Sequence, residues 1–72
     1  MSYESIDELV LDSINKNRPM TQAEFFERLE RNGKKHQVMI LLPQISASAK
    51  RLLAAQKLKI VTEGGVKKIV KL

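Results

Sequence analysis

Apolar residues recur at helical spacing in the first two thirds of the chain and give way to short runs of strand formers at its end. Ile6, Leu9, Val10 and Ile14 fall on one helical face with Ser13 beside them, and Ser5 followed by Glu8 fits a capping box. A first helix is therefore expected over about 6–16, ended by Asn17, Arg18 and Pro19, because the residue before a proline is pushed out of the helical region. Thr21 and Glu24 form a second capping box, with Met20 and Phe25 placed as a hydrophobic staple. This predicts a helix over about 22–31 with Phe25, Phe26 and Leu29 on its core face. Asn32 and Gly33 are expected to supply the left-handed residue that closes it.

Residues 34–42 fit two conformations. The run HQVMILL suits a short strand through Val38 and Ile40, or a short helix showing Val38, Leu41 and Leu42 to one side. Five consecutive apolar residues, Val38 to Leu42, fit either a fully buried core element or part of a subunit interface. Pro43 breaks this segment and suits the first turn of the next helix, expected over about 44–57 with Ile45, Ala49, Leu52 and Leu53 at helical spacing. The last residues, LKIVTEGGVKKIVKL, read as a β-hairpin over about 58–71 turned by Gly64 and Gly65. A two-residue loop would set Glu63 opposite Val66 and Ile60 opposite Ile69, and drawing Thr62 and Glu63 into the loop would widen the turn. Since an isolated hairpin is marginal in water, one of its faces is expected to lie on the helices. The 72 residues thus read as a single α+β domain, 1–72, with helices ahead of a two-stranded hairpin.

Charge changes the picture by its position. Residues 1–30 carry seven carboxylates against Lys16, Arg18 and Arg28, a net of −4, whereas residues 31–72 carry ten bases against Glu63, a net of +9. A basic half ending in a helix and a lysine-rich hairpin points to a polyanionic partner. So short a chain has a small core, and a homodimer is expected on that ground. The absence of cysteine excludes disulfides and leaves the redox compartment unread, while with no basic-then-apolar leader and no apolar run near the ~20 residues that span a bilayer the chain is expected to be a complete cytoplasmic protein with no membrane partner.

Motifs for chemistry are missing. With one histidine and no GxxxxGK, GxGxxG or HExxH pattern, no metal site, cofactor or catalytic residue is expected, and the chain is read as a non-enzyme. His36 is placed on the surface, and the carboxylates on solvated helix faces or first turns. The informative surface is that of the 44–57 helix. Gln44, Ser46, Ala47, Ser48, Lys50 and Arg51 are expected to point away from the Ile45, Ala49 and Leu52 stripe. Side chains of this kind suit a major groove, where glutamine reads adenine, arginine reads guanine and serine holds phosphate. Lys57 is the last residue of that expected helix, and Lys67 and Lys68 sit near the hairpin tip, placed either to meet phosphates or to protect an edge strand from aggregation.

The order helix, capped helix, helix and Gly-turned hairpin resembles the winged helix-turn-helix superfamily of DNA-binding domains. The stretch ISASAKRLLAAQKLKIV, Ile45 to Val61, is similar to a recognition helix running into the first wing strand, and TEGGVKKIV to the wing. Eleven residues, Gly33 to Pro43, stand where compact members of the superfamily have only a few. The resemblance implies a small sequence-specific binder of double-stranded DNA, a transcriptional regulator or a phage- or plasmid-type accessory factor acting by occupancy. Ser46, Ala47, Ser48, Lys50 and Arg51 would face the groove, and Lys67 and Lys68 would form the wing contact. The alternative is a module of the same shape that docks on a larger protein through Val38 to Leu42 and the acids Glu4, Asp7, Glu8 and Asp12. RNA is a weaker alternative, because Tyr3 is the one aromatic side chain outside the expected core.

Overall fold

A computed structural model describes residues 5–72, the side chain of Lys35 excepted, and shows four helices followed by a two-stranded antiparallel hairpin. Tyr3 and Glu4 lie outside the described residues. The helices are α1 (Ile6–Asp12), α2 (Gln22–Asn32), α3 (Lys35–Ile40) and α4 (Leu42–Ala54), and the strands are β1 (Leu58–Glu63) and β2 (Val66–Lys71). The α+β class and the order of elements agree with the sequence, and the segment 34–42 is a helix.

α1 is shorter than expected. Ser5 caps its start by accepting the Glu8 amide at 3.2 Å. The helix stops at Asp12 because Ser13 intervenes: its buried hydroxyl donates to the Leu9 carbonyl at 2.7 Å and accepts from the Asn32 side chain at 3.1 Å. Serine that bonds its own backbone in this way competes with helix propagation. Ile14 still reaches the core from the turn that follows.

α2 matches its expected span. Thr21 accepts the Glu24 amide at 3.2 Å while Glu24 accepts the Thr21 amide at 3.1 Å, so both halves of the capping box form. Its closing residue does not behave as expected. Gly33 has φ −107°, an extended conformation open to any residue, and it sits closely packed: a Cβ there would lie 3.3 Å from Val38 Cγ2, slightly tight, and at ordinary contact distance, 3.5 Å, from Leu9 Cδ2.

α3 and α4 are nearly continuous, separated at Leu41, which leaves helical geometry at φ −93°, ψ 8°. Pro43 occupies the first turn of α4, where its missing N–H is no loss. α4 begins at Leu42 and ends at Ala54, earlier at both ends than expected. Its end is a Schellman turn in which Gln56 adopts φ +61° and donates to the Leu53 carbonyl at 3.1 Å while Lys57 donates to Leu52 at 2.9 Å. That position usually holds glycine, so the sequence did not mark it.

The hairpin has the two-residue loop. Ile60 pairs with Ile69 and Glu63 with Val66, and Gly64 and Gly65 take φ +57° and +79°, as a tight primed turn requires. β2 is tied to the helical part by backbone bonds that the sequence did not suggest. Met20 and Ile69 exchange N–H to C=O bonds of 2.8 Å in both directions, and Lys71 donates to the Asn15 carbonyl at 2.9 Å. One core results, joining Leu9 and Val10 of α1, Phe25 and Leu29 of α2, Val38, Ile45, Leu52 and Leu58 with Ile14 and Met20. Val38 is buried and Leu41 half-buried, but Met39 and Ile40 project outward, so the Val38 to Leu42 run is not a fully buried element.

Two substitutions should act in opposite senses. Gln56→Gly relieves a left-handed side-chain conformation and should raise unfolding stability by roughly 0.5 kcal/mol, net of the looser unfolded chain, whereas Gly64→Ala should lower it by about 1 kcal/mol. Urea midpoints measured side by side test both, and equal signs would contradict the backbone geometry.

Candidate nucleic-acid interface

A helix turns 100° per residue, so the burial of Ile45, Ser48 and Leu52 fixes which side of α4 faces out. Gln44, Ser46, Ala47, Lys50 and Arg51 are exposed as expected. Ser48 is not: it is fully buried, and its hydroxyl donates to Asp7 Oδ1 at 2.5 Å. Its position, three residues from Ile45 and four from Leu52, puts it on the core face, and the hydroxyl finds its acceptor on α1. Ser48 is therefore removed from the set of side chains able to touch a partner.

The same Asp7 oxygen accepts from Arg51 Nη2 at 2.7 Å, in a pair whose side chains remain 61% and 40% exposed. Arg51 thus leans toward α1, and Gln44, seven residues earlier, lies along the same flank. The opposite flank faces α2. Ser46 lines a cleft of about 160 Å³ with Gln22, Phe25, Phe26, Leu42 and Ala49, and Lys50 follows Ser46 one turn later along that flank. The predicted residues of α4 are therefore split between two sides, with Ala47 between them.

The hairpin lysines are split as well. Cross-strand partners share a face, so Lys67 goes with Thr62 on the side of Ile60, Ile69 and the buried Leu58, whereas Lys68 goes with Val61 on the other. Lys67 is exposed. Lys68 is half-buried and pairs with Glu63 at 3.0 Å. Both border a groove of about 180 Å³ floored by Met20, Phe25, Ile60 and Ile69.

Three exposed or half-exposed residues join the surface that sequence reasoning did not single out. Gln22, in the first turn of α2, lines the cleft with Ser46 and the groove with Lys67, so it stands between α4 and the hairpin. Only the pairing of Met20 with Ile69 brings it there, and a one-residue bridge leaves no periodic signal. Lys59 and Lys71 lie on the strands, where alternation alone would have placed them.

No protein-family model, curated protein or solved structure matches the chain. The functional reading rests on this geometry and its charge. Lys50, Lys57, Lys59, Lys67 and Lys71 are in no ion pair with a carboxylate among the described residues, while Arg18, Arg31, Arg51 and Lys68 are each paired. Among the described residues no three metal-ligating side chains cluster, and no helix is long and apolar enough to cross a membrane.

Asp7 is held below the ordinary aspartate range, first by the Ser48 hydroxyl and then by Arg51, against a smaller opposing effect of desolvation. The charge of Lys57 adds to this at longer range. A carboxylate whose folded value is depressed stabilises the fold above its unfolded value, near ~3.9, and that contribution disappears as pH falls through the lowered folded value. Asp7→Ala should cost about 1 kcal/mol at neutral pH, chiefly by leaving the buried Ser48 hydroxyl without this acceptor. Urea unfolding of both proteins across acid pH should show the gap narrowing below pH ~4. An unchanged gap there would mean that the carboxylate charge contributes nothing.

Proposed function

We propose that this chain is a small winged-helix protein that binds double-stranded DNA by occupancy, with no catalytic step. The observation that carries the reading is the set of five lysines on α4, the turn after it and the hairpin that form no ion pair with a carboxylate among the described residues. Four helices would not need such an excess for stability, because like charges on a small surface repel one another. A duplex offers one phosphate charge per ~1.7 Å of its length, and neutralising phosphates releases counterions.

The winged-helix assignment is supported by the order of elements and by Met20, whose two backbone bonds to Ile69 form a one-residue antiparallel bridge beside the hairpin. In this reading the exposed side chains of α4 enter a major groove and the hairpin lies along the backbone. Lys50 and Lys67 lead the phosphate contacts, Lys57 and Lys71 extend them, Lys59 adds charge from the other face of the hairpin, and Ser46, Ala47 and Gln22 lie between. Arg51 has a smaller role than its side chain alone suggests, because reading guanine would require it to leave Asp7. A cytoplasmic location follows from DNA as the partner.

A rival reading, docking on a larger protein, draws on the exposed Met39 and Ile40. Its acidic contact is weaker than the sequence suggested, since Asp7 is engaged by Ser48 and Arg51.

Fluorescence anisotropy with random-sequence duplex tests the proposal. Binding should be measurable at low salt and fall with a log-log slope of roughly −3 to −5 per protomer. Lys50→Ala and Lys67→Ala should each make that slope shallower by about 0.9, and Arg51→Ala should change it less. Absence of binding at low salt would overturn the DNA reading.

A further inference from the structure

We propose that a second copy of this chain docks on the uncharged surface formed by the end of α3 and the first turns of α4, with Ile40 of each copy entering the cleft between α2 and α4 of the other. Ile40 is 72% exposed and Met39 60%, and Leu42 beside them is 38% exposed. A small domain depends on every apolar side chain it can bury, so leaving these three in water forgoes burial that a partner could supply.

Charge selects the occupant. From Gln37 to Ala49 no residue is charged, in a chain with 29% charged residues and a net charge of +5. A polyanion has nothing to neutralise there. A second copy meets the opposite situation: two molecules of the same positive charge repel, and this surface is where they can approach without setting lysines against lysines.

Shape supports the same choice. A knob and a receptive cleft lie next to each other on one molecule, which is what a two-fold interface needs, because each patch must serve as both donor and receiver. The cleft is about 160 Å³ and is lined mainly by carbon from Phe25, Phe26, Leu42, Ile45 and Ala49. A standard interface covers about 800 Å² per partner, roughly a sixth of the 4865 Å² of this chain. Ser46 and Gln22 border the cleft, so dimerisation would take both from any groove-facing set and leave Gln44, Ala47 and Lys50.

The inference stands apart from the DNA reading and is tested without DNA. Sedimentation equilibrium of the full chain from about 10 µM to about 1 mM should show the mass rising from 8.2 kDa toward twice that value. Amide shifts that change on dilution should fall on residues 38–49 and on Phe26, and Ile40→Glu should weaken association at least about tenfold with helical circular dichroism retained. A mass of 8.2 kDa throughout overturns the proposal. So does a dimer whose shift changes lie on the hairpin or on α1. If Ile40→Glu fails to fold, the wild-type shift map still decides between these outcomes.

Discussion

Two backbone hydrogen bonds between Met20 and Ile69 hold this fold in its arrangement. A two-stranded hairpin has little stability of its own in water, and here β2 gains a third backbone partner outside the hairpin. The same residue stands immediately before the Thr21 cap of α2, so the start of a helix and the middle of a strand are fixed by one short segment. Burial of Leu58 and Ile69 against the helical core follows from that attachment, as does the nearness of Gln22 to Lys67. The hairpin becomes part of the core rather than an appendage.

A second tie acts between the first and last helices. Asp7 on α1 receives one donor from a buried serine and one from an exposed arginine, both on α4 and separated by 41 and 44 residues from it. An exposed arginine pair by itself contributes ~0–1 kcal/mol. The serine matters more, since a buried hydroxyl without an acceptor would cost desolvation with no return. This arrangement also divides the outer surface of α4: the side toward α1 is occupied by an internal ion pair, and the side toward α2 is small, apolar or lysine-bearing.

What could be read from the sequence was local. The Thr21 and Glu24 capping box and the Gly64-Gly65 turn each depend on residues a few positions apart and appear as expected, and of the two loop lengths the sequence allowed the two-residue one forms. The features that were missed depend on distant partners or on residues with two behaviours. Ser48 suits a wet surface and a core hydroxyl equally, and only Asp7 decides between them. Ser13 belongs to the same class, and its bond to Leu9 shortens α1. Gln56 hides a helix end that glycine would have announced. Of the predicted interface, the lysines were legible because charge is written in the residue, whereas the division of α4 into two flanks required α1 and α2 to be in place.

The attachment of β2 has a consequence for the sheet as a whole. Its outer edge is covered at Ile69 by Met20 and at Lys71 by Asn15, so the row of unpaired amides and carbonyls lies along the outer edge of β1, where among the described residues no backbone group is bonded to Leu58 through Glu63 except from β2. β1 is therefore the longer template for an added strand, and the exposed Lys59 sets a charge where that strand would have to lie, which discourages edge-to-edge pairing.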